Sequence, residues 1–257
     1  MDKTILITGG AKGIGKFTAS FLASQGYRVI VNYRSDDEHA LKLASDLSDL
    51  SKKKCIAIKA DIASKEGSLA LINQINDYGI EKIDVLIHNA GPYIAERKKM
   101  TEYSFDEWDQ MVNGNLSAVF YLSKHIIPIM REHQWGRIVT FGYDRVDSVP
   151  GWVYRSAFAS AKSGLASLTK TIALEEAENG ITANMICPGD IEGDWKELSI
   201  KDAIGSEDHE NPVGRPGSGE DIARVLSFLI HEDSGFITGA IIPVTGGKDV
   251  LGKIYRK

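Results

Sequence analysis

The chain has 257 residues, 43% hydrophobic and 25% charged, with a formal net charge of −5 and a pI near 5.7. That size and composition suit one large α/β domain, and the acidic balance excludes the basic footprint of a nucleic-acid or anionic-membrane binder. Cys55 and Cys187 lie far apart in no CxxC pair and read as reduced structural thiols of a cytoplasmic protein.

Apolar, β-rich runs alternate with helix-period segments along the whole chain. Strand "TILITG" (4–9) leads to helix 12–26, strand "YRVIVNY" (27–33) to helix 38–52, and strand 54–62 to helix 66–79. Strand "IDVLIHNAG" (83–91) precedes a long helix over 104–133 with a potential break. Strand 136–142 precedes a helix over 157–180, ending at Gly180. Strand 181–189, helix 219–231 and strand 239–247 complete the series. Seven near-continuous apolar strands separated by amphipathic helices predict a parallel sheet covered on both faces. Segment 189–219, rich in Gly, Pro and charge, reads as a lid or substrate loop within a single domain spanning 1–257. No run approaches the ~18–20 apolar residues of a membrane span, and "KTILITGG" starts a strand where a secretory leader would be basic and then apolar. The six histidines show no ligand spacing, so no metal is expected.

"TGGAKGIG" (8–15) follows the first strand and opens the first helix. Glycines there permit a tight turn and a close approach of backbone to a pyrophosphate, which the helix N-terminus then faces. Thr8, Gly9, Gly13 and Gly15 in this turn, "HNAG" (88–91), Asn115, Lys162, "CPG" (187–189), "RPGSGEDIA" (215–223) and "VTGG" (244–247) together resemble the short-chain dehydrogenase/reductase family, in family order over residues 3–247. The similarity is greatest to its 3-oxoacyl-acyl-carrier-protein reductase-like branch. It implies a Rossmann-like, doubly wound parallel sheet of about seven strands.

The resemblance also implies cofactor roles. Gly9, Gly13, Ile14 and Gly15 would cradle the pyrophosphate, Asp61 and Ile62 would meet the adenine, Asn89, Ala90 and Gly91 would line the adenosine and ribose, and Pro188, Gly189 and Ile191 would abut the nicotinamide. An acidic residue ending the second strand would favour NAD. Here "NYRS" ends it, with Tyr33 in the acidic place, Arg34 next to it and Lys12 in the glycine turn. Two cations and no carboxylate at that corner point to a 2′-phosphate and to NADP(H), although Asp36 and Asp37 follow closely.

The catalytic positions depart from the family. Lys162 matches the family lysine, yet Phe158 stands four residues before it, where the resemblance places a proton-donating tyrosine. Tyr143 stands at the usual serine place, and Gly193 where threonine is frequent. Phenylalanine can neither protonate nor hydrogen-bond the oxygen that gains charge on hydride addition. Tyr143 and Tyr154 are the candidate substitutes, beside Asn115 and Lys162. Tyr154 lies eight residues before Lys162, roughly 12 Å of rise and about 80° of rotation away on a regular helix. Enoyl reductases of the wider family resemble a Tyr-x6-Lys pattern, and here Arg155 holds that seven-before position.

The expectation is an NADP(H)-dependent reductase of a carbonyl, 3-oxoacyl-thioester-like small molecule. An enoyl-thioester reductase using Tyr143 or Tyr154 is the first alternative, and a non-catalytic NADP(H)-binding sensor or scaffold the second. The family implies a homo-oligomer, tetramer or dimer, through the two long helices.

Overall fold

The structure is a computed structural model that describes residues 3–249 and 251. Its seven strands are β1 (Thr4–Ile7), β2 (Arg28–Tyr33), β3 (Ile56–Lys59), β4 (Val85–His88), β5 (Gly136–Phe141), β6 (Ile181–Pro188) and β7 (Ile241–Val244). They form one sheet in the order β3-β2-β1-β4-β5-β6-β7, and every pair is parallel. The principal helices are α1 (Gly13–Ser24), α2 (Asp37–Ser51), α3 (Lys65–Asp77), α4 (Phe105–Val112), α5 (Ala118–Glu132), α6 (Ser156–Glu175), α7 (Ile200–Ala203) and α8 (Gly219–Leu229).

Alternation along the strands divides the core. Leu6, Leu86 and Ile138 meet Leu71 and Ile75 of α3, Leu122 and Ile126 of α5, and Ile172 of α6. Ile5, Ile7, Val85, Ile87 and Val139 face the other way, onto Ala19 and Leu22 of α1, Leu43 and Leu47 of α2, and Ile222 and Leu226 of α8. Both faces of the sheet are therefore dry, which is why the strands lack a polar alternation. Several helix starts are capped by short polar side chains. Ser104 and Ser218 each accept from an N–H three residues on, in capping boxes closed by Glu107 and Asp221.

Strand order reverses between β1 and β4, and the carboxyl ends of these two strands open on one crevice, the usual ligand position in such sheets. The expected break in the long helix is a π-helical turn, Asn113–Ser117, joining α4 to α5. Segment 189–219 has local structure of its own: a 3-10 turn over Gly193–Glu197 and the short α7. Among the described residues, no helix is long and apolar enough to cross a membrane.

Candidate active site

The glycine turn is shaped by its backbone. Gly9 and Gly13 have φ of 60° and 59°, the left-handed region that side chains disfavour. A Cβ on Gly15 would lie 2.5 Å from both the Gly9 carbonyl oxygen and Asn89 Nδ2. Asn89 Nδ2 donates to the carbonyls of Thr8 (3.0 Å) and Gly9 (2.9 Å), and the Ala90 N–H donates to Thr8 Oγ1 at 3.0 Å. The ends of β1 and β4 are thus bolted together at the crevice. These residues fit a dinucleotide pyrophosphate, since the turn has no room for a Cβ at Gly15, takes left-handed φ at Gly9 and Gly13, and sits at the N-terminus of α1. Ile62 is buried in the core and Asp61 caps its own turn, Oδ1 accepting from Ala63 N–H at 3.1 Å. Pro188, Gly189 and Ile191 follow β6, with Ile191 packed against Gly217.

Gly10 N–H donates to Asn32 O at 3.1 Å, so the turn and the end of β2 share one corner. Lys12 and Arg34 flank it, both exposed, and among the described residues neither makes a side-chain hydrogen bond or ion pair. The two following carboxylates are committed elsewhere: Asp36 caps α2 and pairs with His39, and Asp37 pairs with Lys59 at 2.9 Å.

At the reaction end, α6 carries Phe158 and Lys162 one turn apart on one face, and Arg155 stands at its N-cap. Lys162 is 4% exposed. Burial pulls its ammonium down to about 8, with a nearby Cys187 acting weakly in the opposite sense. The thiol of Cys187 is itself pushed up to about 12, mainly by burial, and stays neutral. His88 lies beneath, its Nε2 3.2 Å from Ser123 Oγ; burial and then the Lys162 charge depress it to about 3, so the ring is neutral. Asn115, in the π turn, donates from Nδ2 to the carbonyls of Pro92 and Met111, both at 3.0 Å. Its buried Oδ1 has no hydrogen-bond partner among the described residues. A Cβ on Gly91 would sit 2.4 Å from that Oδ1 and 3.5 Å from Lys162 Nζ, so Gly91, Asn115 and Lys162 converge.

Around Phe158 the site is aromatic. Its ring lies 5.6 Å from Lys162 Nζ, 6.0 Å from Trp152, 6.5 Å from Tyr143 and 5.2 Å from Tyr93. Tyr143 is 3% exposed. Its hydroxyl is 3.1 Å from Ser163 Oγ and donates to Pro150 O at 3.3 Å, and burial raises its pKa. Tyr154 occupies the turn before α6 with φ of 64°. Its carbonyl accepts from Tyr103 Oη at 3.0 Å and from Arg155 at 2.9 Å.

Three residues escaped the sequence reading as partners. Arg155 donates from Nε to Tyr93 Oη at 2.6 Å and from its terminal nitrogens to Ala95 O and Glu96 O, pinning the loop after β4 over Phe158. Tyr93 is half exposed. Its place two residues after Gly91, in "NAGPY", was the only sequence signal for it. A third, Glu197, lies on the glycine turn: Oε1 accepts from Gly13 N–H at 2.7 Å and Oε2 is 2.6 Å from Lys16 Nζ.

Known proteins resemble this arrangement over nearly its full length. Residues 9–249 match the family described as enoyl-(acyl carrier protein) reductase. YtkK of Bacillus subtilis (strain 168), which carries a provisional oxidoreductase name, is 52% identical over 252 residues, covering 96% of this chain and 97% of the relative. The 3-oxoacyl-[acyl-carrier-protein] reductase FabG of Escherichia coli (strain K12) is 34% identical, covering 95% and 96%. The acetoacetyl-CoA reductase of Shinella zoogloeoides is 32% identical, covering 96% and 99%. A solved Bacillus thuringiensis structure, provisionally described as a 3-oxoacyl-reductase, superposes with a TM-score of 0.89 at 47% identity, covering 98% of this chain and all of that one.

Proposed function

The chain belongs to the short-chain dehydrogenase/reductase family, and from that premise we propose that it is an NADP(H)-dependent reductase of a small carbonyl substrate of the 3-oxoacyl-thioester class. The carrying observation is the convergence of buried Lys162, Asn115 and Gly91 beside the glycine cradle. Bound there, the nicotinamide would supply the hydride. The Lys162 ammonium is suited to hold the ribose hydroxyls, and the unpaired cations Lys12 and Arg34 support a 2′-phosphate.

The proton must come from a group other than Phe158. Three phenols are candidates: Tyr143 and Tyr93, whose rings pack on Phe158, and Tyr154 in the turn before α6, with Tyr143 and Tyr154 the two expected from sequence. A phenol both donates and accepts. The Tyr143 hydroxyl is committed to Pro150 and Ser163, whereas the Tyr93 oxygen accepts from Arg155 and leaves its own proton free to give. Its exposure also lets water restore that proton. Tyr93 is therefore the donor this reading favours, and Phe variants of the three separate them. An enoyl-thioester substrate is the second reading, supported by the family's description and by an aromatic at the serine place. The same reading expects a dimer or tetramer in the cytoplasm.

NADPH oxidation with 3-oxoacyl, ketone and enoyl-thioester panels tests the function. Turnover on the first two supports carbonyl reduction, and turnover confined to the third moves the assignment to double bonds. Inertness on all three, with NADPH bound, leaves the non-catalytic binding protein.

A further inference from the structure

The anion site of the glycine turn has an occupant from the chain itself. Gly13 N–H is the first donor of α1, where unpaired amides and the helix dipole favour negative charge. Glu197 supplies that charge from 184 residues away, with one oxygen on Gly13 N–H and the other on Lys16. The strap bearing it, Gly193–Glu197, is seated firmly. Trp195 packs into the core on the α1 and α8 side of the sheet, and the Lys196 side chain runs across Gly13. The Lys196 carbonyl lies 2.2 Å from where a Cβ on Gly219 would stand, so glycine at the start of α8 makes room for the strap. Beyond it, Ile200 N–H donates to Glu220 Oε2 at 2.8 Å, tying α7 to α8.

A carboxylate with one oxygen on a helix-terminal amide and the other on a lysine presents what a phosphate oxygen pair would present. Both cannot use Gly13 N–H and Lys16 at once. We propose that Glu197 is an internal competitor of the cofactor, holding the strap over the glycine turn until a dinucleotide phosphate displaces it and frees the loop over 189–219. Glu197 thereby sets cofactor affinity without being a cofactor ligand, and cofactor arrival becomes the event that opens the substrate side. This rests on the glycine turn being the pyrophosphate site, as in the function proposed above, but not on the choice between NADP(H) and NAD(H).

The test is direct binding of NADPH, NADH and inorganic pyrophosphate to the full chain by calorimetry, comparing the parent with Glu197→Gln and Glu197→Ala. Losing a charge-assisted contact of this kind predicts about 10-fold tighter binding of both dinucleotides, by one common factor, and tighter pyrophosphate binding. Hydrogen exchange of the 193–203 amides should rise in both variants without ligand, and in the parent when NADPH is added. Unchanged or weaker binding in the variants overturns the proposal, because Glu197 is then a bystander or a closing contact. An altered NADPH-to-NADH ratio in the parent bears only on Lys12 and Arg34. Absence of any dinucleotide binding by parent and variants removes both readings together.

Discussion

The two ends of the crevice are built from different materials. At the cofactor end the chemistry lies in the backbone: positive-φ glycines, an excluded Cβ at Gly15, and Asn89 donating to two main-chain carbonyls. At the reaction end it lies in side chains, and there Phe158 and Tyr143, which the resemblance sets at the donor and serine places, pack with Tyr93 and Trp152. The first region is made of glycine backbone and the second of packed aromatic side chains. A backbone cradle tolerates few replacements, because each needs a Cβ in occupied space or a strained φ. A packed aromatic wall can change residue by residue while Lys162 keeps its buried place beside Gly91.

That contrast can be broken most sharply at the loop after β4. Tyr93→Phe should lower turnover at least ~100-fold, the scale of losing an acid–base group, with NADPH affinity nearly unchanged. Tyr143→Phe and Tyr154→Phe should each do less in the same steady-state assay. If Tyr143→Phe shows the larger loss, the proton leaves from the buried phenol after all. Phe158→Tyr sharpens the point from the other side. It restores a phenol one turn from Lys162, and ketone reduction should rise about 10-fold or more; an unchanged rate would mean the carbonyl no longer docks there.

The cofactor end is tested by charge. Lys12→Ala with Arg34→Ala should weaken NADPH by about 10-fold, less than two ideal charge-assisted contacts because both side chains are solvated, and leave NADH untouched. Equal losses in fluorescence titrations would reassign both residues to the surface.

The smallest effect is the pH response of Lys162, where the two ends meet. Its folded pKa of about 8 lies below the ordinary 10.5 because burial disfavours the ammonium. Between these values the unfolded chain binds more protons, so stability of the free protein should rise as pH increases through that window. NADPH affinity should move the opposite way, falling a few fold above about pH 8 as the ribose loses its cation. Lys162→Met should flatten both profiles in thermal melts and titrations.

The sequence made the sheet legible because strands buried on both faces leave continuous apolar runs, and it made the cradle legible because glycine spacing is local. Asn115 and Lys162 were readable through the resemblance, and they do converge. The Tyr93–Arg155 and Gly13–Glu197 contacts join residues 62 and 184 positions apart. Such pairings leave no periodic trace, since tertiary packing alone brings them together. The direction of the Tyr143 hydroxyl was hidden for the same reason: Pro150 and Ser163, its partners, are ordinary loop and helix residues in sequence.

The π turn at Asn113–Ser117 carries a consequence for insertions and deletions. Such a turn is one surplus residue lodged in an otherwise α-helical run. Each residue of an α-helix advances about 100°, so losing one position here would let α4 and α5 fuse into a straight rod and swing the Asn115 carboxamide off its line to Pro92 and Lys162. Gly114 packs so closely that a Cβ there would lie 2.4 Å from Pro92 Cδ, which leaves this turn little room to shift. Length in this helix is thus a functional quantity, independent of which side chains occupy it.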